Sequence, residues 1–161
     1  MSGRHRVEAS VVSAAPPDAV WKRLAGASTW SVWGQSDETT LDREGVPAPD
    51  GVGALRRFRR GRRTTVEEVV AFEPPAARSG TEPASRSGTE PARFAYELRS
   101  GLPLRYYHSE VTLEPVGGGT RIRWVSTFDG AYPGVGVLMQ AVLGRFIRGT
   151  ARRLAAAAEA E

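Results

Sequence analysis

The chain has 161 residues, 40% hydrophobic and 25% charged, a globular balance that excludes wholesale disorder. No apolar run reaches the ~18 residues of a membrane span, and no secretory signal is predicted. The absence of cysteine excludes disulfides, thiolate metal sites and cysteine nucleophiles and fits a cytoplasmic setting, while two histidines, His5 and His108, argue against a histidine-built metal site. The formal charge of +4 invites a nucleic-acid partner, but 21 of the 22 basic residues are arginine, with Lys22 the single lysine. Beside abundant Ala and Gly, this bias reads as a GC-rich coding sequence, so the expectation is against nucleic acid.

In chain order, residues 7–12 (VEASVV) predict a strand. Pro16, Pro17 and Asp18 open a helix: proline is allowed in the first turn, and the aspartate suits the positive helix end. Gly26 stops it, and a second short helical piece follows over 29–33 with Trp30 and Trp33. Six strands are predicted next, over 37–44, 52–60, 63–72, 93–99, 105–114 and 119–128. Their connections are Gly/Pro-rich and too short for parallel crossovers, which predicts antiparallel pairing. Over 134–159, Leu143, Ile147, Ala151, Leu154 and Ala158 recur at helical spacing, with Met139 and Phe146 beside them. At ~1.5 Å per residue such a helix crosses a whole small sheet.

Residues 77–84 (ARSGTEPA) and 85–92 (SRSGTEPA) are a tandem octapeptide. The unit has no apolar face and cannot build a solenoid layer, so 77–92 is expected to be a low-complexity loop inserted into one domain spanning 1–161. Long loops are tolerated, since each doubling of length costs only about 0.6 kcal/mol.

Strand alternation assigns inner and outer faces. Phe94, Tyr96 and Leu98 fall inward, as do Tyr107, Ser109, Val111 and Leu113, and Ile122, Trp124, Ser126 and Phe128. Over 63–72 the inner set is Val66, Glu68, Val70 and Phe72, and over 52–60 it is Ala54, Arg56 and Phe58. His108 falls outward. The inner face thus mixes aromatics with serines, Glu68 and Arg56, as small-molecule cavities do. Eight residues are the candidate ligand-binding set: Arg56, Phe58, Glu68, Tyr96, Tyr107, Ser109, Trp124 and Phe128. Arg56 and Glu68 either form a buried pair that orients a polar ligand group, or one of them faces solvent. The tyrosine hydroxyls can donate to a ligand carbonyl or enolate, or simply sit at the edge of the core. The other arginines of 56–63 are expected in solvent, outside the cavity; an acidic partner, an anionic lipid surface or RNA is the alternative use of that hairpin. No phosphate-binding glycine loop, nucleophile elbow or metal cluster is visible, so no cofactor is implied.

Local strings sharpen this reading: Pro16 to Trp21 (PPDAVW), the pair Trp30 and Trp33, Gly51 to Arg56 (GVGALR), Glu68 to Pro75 (EVVAFEPP), Gly101 to Pro103 followed by Tyr107, and Gly119 to Trp124 (GTRIRW). Together these resemble the START-like (SRPBCC) superfamily, and within it the polyketide cyclase/dehydrase and lipid-transport family. The resemblance covers about 5–155 apart from the octapeptides. It implies an α+β helix-grip fold, a curved antiparallel sheet wrapped around the long C-terminal helix, with a cavity between them for a hydrophobic or aromatic ligand. It implies a carrier, or alternatively a cofactor-independent cyclase or dehydratase working by general acid–base chemistry, because the family shares a scaffold rather than one catalytic constellation. Neither the ligand nor the oligomeric state follows from it.

Overall fold

The computed structural model describes residues 4–75 and 91–160. The octapeptide segment therefore lies outside the described residues, except that Pro91 is exposed and Ala92 is buried at the start of a strand. Seven strands, β1 (His5–Ser13), β2 (Glu38–Arg43), β3 (Leu55–Arg60), β4 (Arg63–Glu73), β5 (Ala92–Ser100), β6 (Leu104–Val116) and β7 (Gly119–Gly130), form one antiparallel sheet. Their order is β1-β7-β6-β5-β4-β3-β2, a meander in which β1 closes onto β7. Helix α1 (Pro17–Ala25), a 3-10 turn (Ala27–Thr29) and the short α2 (Trp30–Trp33) follow β1, and α3 (Val135–Glu159) ends the chain.

Each helix boundary has a local cause. Pro17 occupies the first turn of α1 beside Asp18. Gly134 precedes α3 with φ +81°, a left-handed conformation that favours glycine. Buried Met139, Leu143, Ile147, Leu154 and Ala158 put the apolar stripe of α3 against the sheet. The helix packs on β1 and β7. Its far end is pinned where Ser13 Oγ donates to Ala155 O at 2.9 Å. Gln35 Nε2 donates to Phe146 O at 2.9 Å and to Thr150 Oγ1 at 2.7 Å, tying the segment after α2 to the middle of α3. Helix α3 lies chiefly over β1 and β7, and α1 touches β5, β6 and β7, which leaves a space between the inner face of β3 to β6 and α3.

Inner faces of β5, β6 and β7 are as the alternation predicts: Phe94, Tyr96, Tyr107, Ser109, Val111, Leu113, Ile122, Trp124, Ser126 and Phe128 are all buried. Ala54, just before β3, and Arg56 on it are buried, and Phe58 packs against the core. Strand β4 departs from the expectation. Val69 pairs with Tyr96 and Phe72 with Phe94, so three steps on β4 match two on β5, and the register shifts between Val69 and Ala71. This bulge adds one residue to β4 and reverses the face of everything before it. Phe72 stays with the core, but Glu67 and Val69 point inward instead of Glu68 and Val70.

Candidate functional site

A cavity of about 430 Å³ lies between the inner face of β3 to β6 and α3. One wall is aromatic, made of Trp30, Phe58, Tyr96 and Tyr107; the opposite side is Leu102 with Met139, Val142, Leu143 and the Phe146 ring of α3. Polar groups are few: Gln35, Ser36, Thr65 and Glu67, with Arg60 and Arg63 at the rim. The volume falls in the range of small-molecule sites, as does the mostly apolar lining with a few polar groups.

Of the eight sequence candidates, Phe58, Tyr96 and Tyr107 line this cavity. Ser109, Trp124 and Phe128 lie in the wall behind it, buried. There they hold the tyrosines: Trp124 Nε1 donates to the Tyr96 hydroxyl at 3.2 Å, and the Tyr107 hydroxyl is 3.3 Å from that of Ser126, which also bonds Ser109. Phe128 packs beside Tyr107, with ring centroids 6.4 Å apart and the rings tilted by 31°. Burial pushes both phenols above the usual tyrosine range, so they stay protonated and keep a proton to donate.

Arg56 also stands behind the lining, 1% exposed. Its guanidinium sits over Trp30 at 4.8 Å, Phe94 at 5.1 Å and Phe58 at 5.3 Å, an aromatic cage. Its Nε and Nη1 have no hydrogen-bond partner. The residue opposite it in the β3–β4 register is Glu67. Burial pushes the Glu67 carboxyl up to about 7, and the charge of Arg56 works against that rise.

Glu68 is the correction. It lies on the other face of the sheet, where Oε1 is 3.4 Å from Arg43 Nη2 and 3.2 Å from Arg99 Nε. The acid facing Arg56 is its neighbour Glu67, which the alternation missed because a bulge leaves no mark in the hydrophobic pattern. A second correction concerns the hairpin. Arg57, Arg59, Arg60, Arg62 and Arg63 are exposed as expected, yet Arg60 and Arg63 also frame the cavity. His108 stands on the outer face as predicted, with Nδ1 3.0 Å from Glu97 Oε2. Gln35 and Ser36 had no sequence signal, since they lie in a connection and reach the site only through the packing of α2.

The fold has solved counterparts. A START superfamily protein from Mycobacterium smegmatis superposes with a TM-score of 0.71 at 11% identity, covering 97% of this chain and 98% of that one. A protein from Thermobifida fusca gives a TM-score of 0.67 at 22% identity, covering 93% and 90%. Norcoclaurine synthase from Thalictrum flavum, in complex with dopamine and hydroxybenzaldehyde, gives 0.63 at 12% identity, covering 96% and 86%. No match was found among curated protein sequences. These identities carry the helix-grip fold and nothing finer. The sequence profile of the polyketide cyclase/dehydrase and lipid transport family matches residues 4–159, from the first strand to the last turn of α3. With the seven-stranded sheet, the long closing helix and the cavity between them, that match assigns the chain to the polyketide cyclase/dehydrase and lipid transport family.

Proposed function

We propose that the protein binds a small hydrophobic or aromatic ligand, polyketide- or lipid-like, between its sheet and α3. The observation that supports this reading is the cavity of about 430 Å³, walled by aromatic and aliphatic side chains. Burial of apolar ligand surface supplies affinity, at roughly 25 cal/mol per Å² before association costs. The tyrosine hydroxyls and Glu67 set orientation, and Arg56 adds a positive field from behind the wall. Arg56, Phe58, Tyr96, Tyr107, Ser109, Trp124 and Phe128 are thus proposed as lining or supporting residues.

Native mass spectrometry of freshly purified protein tests the reading. A co-purifying small molecule that is lost on denaturation is the expected result, and its absence together with failure to bind an apolar fluorescent probe would reject it. Tyr107→Phe removes one hydroxyl and little volume, so the fold should persist. Affinity measured by titration should fall by about 0.5–1.5 kcal/mol, the worth of one neutral hydrogen bond. Unchanged affinity would remove Tyr107 from the ligand's polar contacts.

A second reading, a cofactor-independent cyclase or dehydratase, is favoured by one observation. Glu67 faces the cavity with a pKa of about 7, where a carboxyl both gives and takes protons near neutral pH. In that case Glu67→Gln abolishes turnover of a polyketide-like substrate while its binding persists. In the carrier reading the same variant changes binding alone.

A further inference from the structure

The sheet has two edges, and they differ. Strand β2 at one edge has six residues, and its register shifts between Leu41 and Arg43. Short, irregular edges resist pairing with another chain. Strand β1 at the other edge runs nine residues in unbroken register with β7, with no proline and no bulge. Its backbone directions follow from the β6–β7 hairpin. Gly117 and Gly118, both with positive φ, form a two-residue turn, which makes Val116 and Gly119 a hydrogen-bonded pair. Counted in twos from Gly119, the odd-numbered residues of β7 bond β6, so Ser126 and the other even-numbered ones turn toward β1. Val7 faces Ser126. His5, Val7 and Ala9 therefore bond β7, while Arg6, Glu8, Ser10 and Val12 hold their N–H and C=O groups toward the open edge. Gln140 Nε2, which donates to Arg6 O at 3.5 Å, meets one of these groups.

Beside this edge lies a groove of about 450 Å³, with Arg6, Val7 and Glu8 on one side and a flank of α3 on the other. It shares no lining residue with the ligand cavity. Helix α3 runs alongside β1: His5 Nδ1 is 3.2 Å from Gln140 Oε1, and just past the strand Ala14 N donates to Glu159 Oε1 at 2.7 Å. Between these ends the flank carries two small residues, Ala141 and Gly144, and a β-carbon at Gly144 would lie 3.6 Å from Val7 Cγ1. Val137 on the same flank is 69% exposed. The outer-face side chains at the groove are charged: Arg6 Nη1 is 3.0 Å from Glu8 Oε2, and Glu8 also bonds Arg123.

We infer that a second copy of this chain pairs along β1, antiparallel, about a two-fold axis at Val7, joining two seven-stranded sheets into one. Such pairing sets open-edge residues opposite one another, so the axis passes through a residue and not between two. Charge selects which residue. An axis at Val7 sets Arg6 opposite the partner's Glu8, and Glu8 opposite the partner's Arg6. An axis at Arg6 would set arginine on arginine, and one at Glu8 glutamate on glutamate, and like charges directly opposite are destabilising. Val7 is also the middle of the three β1 residues that line the groove, where Ala141 and Gly144 leave room for the partner's strand. The backbone ladder holds the two copies together and the crossed charges set the register, since exposed ion pairs are individually weak. A peptide of another protein meets the same backbone groups, but only a copy of this chain brings the crossed charges.

Sedimentation velocity of the whole chain from about 1 µM to about 0.2 mM should show a rise from the mass of one chain to that of two. Hydrogen exchange over the same concentrations should show the amides of Arg6, Glu8 and Ser10 gaining protection as the pair forms. Arg6→Glu sets an acid against the partner's Glu8, and Glu8→Arg sets an arginine against the partner's Arg6. Each variant alone should weaken pairing by roughly tenfold or more. Mixed in equal amounts, the two variants should pair with each other, because every opposed couple is again acid against arginine. Native mass spectrometry identifies that mixed pair by its mass. Both positions are exposed, so thermal melts of the variants should match the parent and separate lost pairing from lost folding. A parent chain that stays single at about 0.2 mM would overturn the inference. So would pairing that neither variant weakens, a mixture that fails to pair, or β1 amides indifferent to concentration. None of these readouts involves the cavity ligand, so the inference and the proposed function fail separately.

Discussion

Trp124→Ala should lower the unfolding free energy by about 3–5 kcal/mol, the range for removing a large buried aromatic. Trp124 is 1% exposed on β7, stands edge-on to Trp30 with centroids 6.0 Å apart, and is 6.5 Å from Tyr96. Alanine would leave a void in the wall behind the cavity. It would also take the indole donor from the Tyr96 hydroxyl, leaving a buried phenol with one partner fewer. At roughly 2–4 °C per kcal/mol for a chain of this size, the melting temperature should fall by about 6–20 °C. Ligand binding, measured below the new melting temperature, should weaken as well, because Tyr96 loses the contact that aims its hydroxyl. A change in melting temperature of no more than a degree or two would mean that the indole is not packed as the structure has it.

Stability should decline as pH rises from about 4.5 to about 7, and Glu67 should be the cause. The folded carboxyl has its pKa pushed up to about 7 by burial, against 4.5 for the ordinary group. Below the ordinary value both folded and unfolded chains hold the proton, and the contribution is fully present. Between the two values the unfolded chain ionises while the folded one does not, so stability is lost, and above about 7 the loss is complete. Part of the Glu67 surface remains open to the cavity, so the expected loss is about 1–3 kcal/mol, below what complete burial would give. Glu67→Gln carries no titrating group. Chemical denaturation should therefore find it more stable than the parent at pH 8 and equal to it near pH 4.5. Arg56→Met should move the transition upward, because the arginine charge is what opposes the rise. Parallel stability–pH profiles for parent and Glu67→Gln would place the titration elsewhere.

Both expectations turn on the inner face, and that face was only partly legible in the chain. Strands β5, β6 and β7 announce themselves by alternation, and the inward set from Phe94 to Phe128 follows from period two, while Ala95, which falls outward by that rule, is buried all the same. The same rule sent Arg56 inward, against the ordinary preference of arginine for solvent, because Phe58 and Ala54 share its parity. The long apolar stripe of α3 and the glycine and proline signals around it fixed the order of elements, and with it the family resemblance.

What the chain did not disclose was long-range. Glu67 and Glu68 are adjacent and chemically identical, and only the bulge between Val69 and Ala71 decides which one faces Arg56. That bulge is set by how β4 pairs with β5, two strands separated by the octapeptide segment. The arginines of 56–63 likewise look alike in sequence. Pairing of β2 with β3 brings Asp42 to Arg57 and Glu38 to Arg59, while the turn carries Arg60 and Arg63 to the mouth, beyond the reach of any described acid. Alternation and helical period are local properties that a side chain's own neighbours reveal. Register and the choice of charged partner belong to the pairing of distant segments, so the tertiary structure alone decided them.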